Sequence, residues 1–105
     1  MSRQLEEAGI EFEREQMLIP GRKFRFDFVL PQSCLIVECE GGTWSGGRHT
    51  SGIGFRNDCV KYNLAVEHGY VVLRYTSDLI KNGSAIESIT RVHDRYAVQT
   101  PLEAI

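Results

Sequence analysis

The chain has 105 residues, 42% of them hydrophobic and 25% charged, with a formal net charge of −2. That composition fits one globular domain over residues 1–105 and excludes a collagenous, low-complexity or disordered chain. The charge excludes a surface that attracts polyanions everywhere, so any grip on phosphate has to be local.

The three cysteines, Cys34, Cys39 and Cys59, are odd in number and lack Cys-x-x-Cys spacing, which argues against a disulfide framework or a zinc site. They are expected as buried, reduced thiols of a cytoplasmic protein. No stretch approaches the roughly 18–20 apolar residues of a membrane span, and no apolar signal segment follows Met1, so no membrane partner is expected. A domain this small gains from association, which makes a homodimer an assembly to consider.

In chain order, residues 1–10 have the pattern of a helix tail stopped at Gly9, short enough that a longer helix upstream of Met1 is one reading. Strands are expected over 11–19 and 23–30 around a Pro20-Gly21 turn, and over 34–40 after Pro31-Gln32-Ser33. A glycine-rich loop, 41–54, precedes a helix ending at His68-Gly69, with Phe55, Cys59, Tyr62 and Val66 as its apolar stripe. The loop lacks the Gly-x-x-x-x-Gly-Lys pattern of a phosphate-binding P-loop. The apolar run 70–75 predicts a strand buried on both faces, and Ser84 to Glu87 has the form of a capping box opening a helix to about residue 98, with Pro101 beyond it. The order α, β, β, β, α, β, α predicts an α/β (α+β-like) fold: a mixed central sheet with helices on it and a right-handed crossover.

The chemistry concentrates on the second hairpin. Alternation along 24–30 sets Phe24, Phe26, Phe28 and Leu30 on one face and Arg25, Asp27 and Val29 on the other. Along 35–40 it sets Leu35, Val37 and Cys39 opposite Ile36, Glu38 and Glu40. A two-residue loop, Gln32-Ser33, makes the apolar faces coincide; it pairs Phe26 with Cys39, Phe28 with Val37 and Leu30 with Leu35. Asp27 then faces Glu38, and Arg25 faces Glu40. Directly opposed like charges destabilise a sheet, but two carboxylates converging beside a strand carbonyl form a hard-oxygen site for Mg²⁺ or Mn²⁺. The plainer alternative is the solvated face of an amphipathic hairpin.

The ordered set Arg25-Phe26-Asp27-Phe28, Val37-Glu38-Cys39-Glu40-Gly41-Gly42, Gly47-Arg48-His49, Asp58-x-x-Lys61-Tyr62-Asn63 and Gly69 to Tyr75 resembles the PD-(D/E)XK nuclease superfamily. More narrowly, it resembles the small endonucleases related to very-short-patch-repair enzymes, over roughly residues 12–80. The resemblance implies a restriction-endonuclease-like α-β-β-β-α-β core and a Mg²⁺- or Mn²⁺-dependent endodeoxyribonuclease, in DNA repair or phage DNA processing. Asp27 and Glu38 match the metal-binding acids, with the Cys39 carbonyl as a third ligand. Glu40 stands where the family usually has lysine, and either joins the metal site, orients water or salt-bridges Arg25. Lys61, from the helix, is the candidate replacement for that lysine; otherwise it is a solvated partner of Asp58. Many relatives place an acid on the first helix, where Glu6 and Glu7 are the candidates here.

Phosphodiester hydrolysis needs an activated water and charge relief on the phosphate, which divalent ions supply. Contacts to duplex, nicked or branched DNA are expected from Arg48 and His49, from Trp44 by stacking, and from Arg25 and Arg74. The bland readings are a Trp44 that seals the core edge and a solvated Arg48-His49 pair. His49 is also a candidate general acid. Arg74 faces either phosphate or Glu40, while Arg22 and Lys23 form a basic rim or surface salt bridges. His68 and His93 are expected at the surface. A catalytically silent DNA-binding module, or a nuclease accessory subunit with the same fold, is the alternative to an enzyme.

Overall fold

A computed structural model describes residues 1–41 and 52–97. The candidates Trp44, Arg48 and His49, most of the glycine-rich loop, and Pro101 lie outside the described residues. The elements are α1 (Ser2–Glu7), β1 (Glu13–Gln16), β2 (Phe26–Leu30), β3 (Leu35–Glu40), α2 (Gly52–Glu67), β4 (Val71–Thr76), α3 (Ser77–Lys81) and α4 (Ser84–Tyr96). The four strands form one mixed sheet in the order β1-β2-β3-β4, with β3 and β4 parallel and the other pairs antiparallel. Among the described residues no helix is long and apolar enough to cross a membrane.

β3 lies inside the sheet and is covered on both faces, which suits its Leu35-Ile36-Val37 run, all 0% exposed. Alternation sends these residues into two cores. Leu35 and Val37 join Leu5, Phe28, Leu30, Ala85 and Ile89 on the side of α1 and α4, whereas Ile36 joins Val29, Phe26, Ile19 and Ala65 on the side of α2. Each fully buried aliphatic side chain contributes about 1.5–3 kcal/mol. Gly9 ends the first helical segment at φ 73, as its sequence position predicts.

The predicted hairpin register holds for Leu30↔Leu35 and Phe28↔Val37. It is set by a four-residue turn rather than a two-residue loop: Ser33 N–H donates to the Leu30 carbonyl at 3.2 Å, and Cys34 sits at φ 54. The predicted single face for Phe24, Phe26, Phe28 and Leu30 does not hold. Phe28 and Leu30 face α1 and α4, while Phe24 and Phe26 pack on the α2 side. The change of face falls across Asp27, just beyond the last recorded β2–β3 pair. There β1 carries Glu15 at φ 55 between its pairings to Phe28 and Phe26.

Four further expectations are corrected. β4 is an edge strand whose Val71, Leu73 and Tyr75 pack on one core and whose Tyr70 and Val72 pack on the other, yet only Tyr75 is buried, so the run 70–75 is covered on both faces only in part. Of the stripe Phe55, Cys59, Tyr62, Val66 only Tyr62 packs on the core: Phe55 is 63% and Val66 60% exposed, Cys59 is exposed, and Ala65 is the buried residue of α2. Cys34 and Cys59 are exposed and Cys39 is intermediate, so the thiols are free but not buried. No capping box forms at Ser84; Gly83 at φ 89 is the N-cap, and Ser84 N–H donates to Asn82 Oδ1 at 2.8 Å. The short helix α3, between β4 and α4, had no predicted counterpart.

His93 is also not a surface residue. It is 7% exposed, and its Nδ1 lies 2.8 Å from Ser33 Oγ, tying α4 to the β2–β3 turn. Ser33→Ala is expected to cost about 1–2 kcal/mol by leaving a buried ring nitrogen unpaired. Urea titration checks this, and an unchanged midpoint would show that the bond adds nothing.

Candidate functional site

Beyond Phe28↔Val37 the β2–β3 ladder is replaced by side chains. Asp27 N–H donates to Glu38 Oε1 at 2.7 Å, and Cys39 N–H donates to Asp27 Oδ2 at 2.9 Å. Each carboxylate therefore bonds the other strand's backbone, which brings the two acids together where the sequence register expects them. Asp27 Oδ1 accepts no hydrogen bond from the described residues. Charge-assisted bonds of this kind hold both acids more rigidly than rotamer preference would.

Glu38, 4% exposed, points to the α2 side of the sheet, one pleat along from Ile36. Its Oε2 accepts from Lys61 Nζ at 2.8 Å and from the Tyr62 hydroxyl at 2.8 Å. Lys61 thus reaches from α2 to the acid rather than pairing with Asp58, and its ammonium lies 4.9 Å from the Phe26 ring centre. These two bonds explain which face α2 presents. Lys61 and Tyr62 turn inward to satisfy a buried carboxylate, Ala65 turns inward with them to pack on the core, and Phe55, Cys59 and Val66 of the apolar stripe are left outside.

Glu40, on the same face as Glu38, accepts from Arg74 Nε at 2.9 Å and lies 3.4 Å from the Tyr62 hydroxyl. Arg25 is exposed and precedes β2, so the expected Arg25–Glu40 pair does not form; the neighbouring strand supplies Arg74 instead. Parallel pairing sets Glu38 beside Arg74 and Glu40 beside Thr76, which lets the Arg74 guanidinium reach Glu40 along the sheet. The guanidinium also lies 4.4 Å from the Tyr62 ring centre and 3.8 Å from Asp58 Oδ2. Among the described residues, Lys61 thus pairs with Glu38, and Arg74 with Glu40 and Asp58.

Among the described residues, three groups are shifted from their ordinary values. Burial, with the Glu38 charge and the bond to Glu38, pushes the Tyr62 phenol well above the usual tyrosine range, so it stays a donor. Burial and then the Asp27 charge raise the Cys39 thiol, which argues against a thiolate nucleophile. The bond to Glu40 raises Arg74.

Tyr62 is the site residue that sequence reasoning assigned elsewhere, to the apolar stripe; its one signal is its place directly after Lys61. Glu6 and Glu7 are exposed on α1, whose Leu5 packs on the opposite side of the sheet from α2, so neither is gathered into the site. Among the described residues no three His, Cys, Asp or Glu side chains stand together as a metal-binding group. The described residues bring two carboxylates together, those of Asp27 and Glu38; Mg²⁺ commonly keeps several waters and takes only one or two carboxylates.

Comparison with protein-family models finds no match, and comparisons with curated proteins and with solved structures find none either.

Proposed function

We propose that the chain is a Mg²⁺- or Mn²⁺-dependent endonuclease with a restriction-endonuclease-like fold, acting on DNA phosphodiesters. The observation that carries this reading is the meeting of Asp27, Glu38 and Lys61: two acids bonded across adjacent strands, with an ammonium 2.8 Å from one of them. A fold has little use for acids opposed on a sheet. Hydrolysis of a phosphodiester does, because it needs metal ligands beside a cation for the phosphate.

Asp27, Glu38 and the Cys39 carbonyl would hold the ion, which when bound lowers the pKa of a water and relieves charge on the phosphate. Asp27 brings its Oδ1, which accepts no hydrogen bond from the described residues, on a carboxylate held at a fixed angle by the Cys39 amide. Lys61, on a flexible stem from α2, would meet a nonbridging phosphate oxygen. Glu40, fixed by Arg74, is the acid available to orient the attacking water. Arg25, exposed beside Asp27, supplies a backbone contact to DNA, as Arg74 does from the rim, with Trp44, Arg48 and His49 as the loop's contribution. Lys61→Met is expected to slow cutting about a hundredfold, as loss of one charge-stabilising donor does elsewhere.

One observation favours a silent DNA-binding module instead: Glu38 already has three donors among the described residues and needs no metal to be satisfied. Incubation with supercoiled, single-stranded and branched DNA in Mg²⁺, Mn²⁺ or EDTA separates the two. Metal-dependent cutting supports the nuclease. Binding without cutting, unchanged in Asp27→Ala, would leave the module.

A further inference from the structure

We infer that Glu38 Oε2 carries one displaceable and one fixed donor: Lys61 is an exchangeable counterion that yields to a divalent cation, while Tyr62 keeps the carboxylate aimed. This rests on the metal reading above and adds an order of events at its ligand.

Among the described residues Glu38 has three donors of different kinds. The Asp27 amide, 2.7 Å from Oε1, belongs to the strand and cannot leave. The Tyr62 hydroxyl, 2.8 Å from Oε2, belongs to a ring with few rotamers, held under the Arg74 guanidinium at 4.4 Å. Lys61 differs from both in its four-carbon stem and in being the cation paired with Glu38. A carboxylate only 4% exposed is costly when bare, so a positive group has to stay with it while no metal is bound. A divalent cation supplies that compensation and repels the ammonium at the same oxygen. The neutral hydroxyl suffers no such repulsion.

Lys61 also has a place to go. Its Nζ already lies 4.9 Å from the Phe26 ring centre and 5.3 Å from that of Tyr62, faces that keep a cation nearby after it leaves Oε2. Released there, it is a free charge next to the acids, where a substrate phosphate arrives. The same residue is thus inhibitory to metal entry and useful afterwards.

The test is Mn²⁺ titration by calorimetry into the whole chain and its variants. Lys61→Met and Lys61→Gln are expected to bind Mn²⁺ roughly three- to tenfold more tightly than the wild type, the size of one partly buried ion pair. Tyr62→Phe is expected to bind it more weakly by a similar factor. Lys61→Gln retains a neutral donor and guards against a Met variant that folds poorly. Lys61 variants that bind no more tightly than the wild type would overturn the displaceable counterion, and unchanged binding in Tyr62→Phe would overturn the fixed donor. Mn²⁺ bound equally well by Glu38→Gln, or by no variant at all, would instead remove the metal reading on which both depend.

Discussion

Asp27→Asn is expected to slow metal-dependent DNA cutting by about a thousandfold, the rate equivalent of about 4 kcal/mol, while leaving the melting temperature nearly unchanged. The two effects separate because Asp27 has two oxygens in different roles. Oδ2 accepts the Cys39 amide, and an asparagine carbonyl can accept it equally. The other position becomes an amide nitrogen, which cannot ligate a cation. Asp27 is only half-buried, so removing its charge costs the fold little and relieves repulsion with Glu38. Steady-state cleavage alongside a thermal melt checks both halves. A large loss of stability would assign Asp27 to the fold rather than to the chemistry.

Leu35→Ala carries the largest stability effect. Leu35 is 0% exposed and sits between Leu30 on β2 and Val71 on β4, in the core that α1 and α4 cover. Truncation removes its transfer free energy and leaves a cavity that a three-element junction cannot close, at about 3 kcal/mol. For a domain near 100 residues that lowers the midpoint by roughly 12–20 °C. Its side chain lies on the sheet face opposite the acids, so cutting by the folded fraction at low temperature is expected to persist. Differential scanning calorimetry and cleavage measured well below the midpoint test the two statements.

Residue alternation made the central strand legible. Leu35-Ile36-Val37 demands cover on both faces, and pairing the apolar positions of 24–30 and 35–40 fixes the register that brings Asp27 to Glu38. What alternation could not reveal is that the ladder stops one pair short of them. That break depends on the carboxylates themselves taking the backbone donors, a tertiary choice with no period in the sequence.

The orientation of α2 was illegible for a related reason. Phe55, Cys59, Tyr62 and Val66 form a proper apolar stripe, yet a buried Glu38 needs a cation and a hydroxyl more than the sheet needs two further apolar side chains. Polar satisfaction therefore set the rotation of the helix, and Tyr62 moved from core filler to ligand of the acids. Arg74 was foreseen as facing either phosphate or Glu40, and the parallel register beside Glu38 brings it to Glu40. His93 looked like a surface residue because it has no sequence neighbour to bond; its partner, Ser33, lies 60 positions away.

Whether Asp27 and Glu38 hold a divalent cation is tested most directly by the thermal midpoint with and without Mn²⁺. At a hundred times its dissociation constant the ion adds about 2.7 kcal/mol, roughly 10 °C or more for a domain of this size. That rise is expected for the wild type and expected to vanish in both Asp27→Ala and Glu38→Ala. No rise in the wild type, or one that survives in both variants, would contradict a metal site at these two acids.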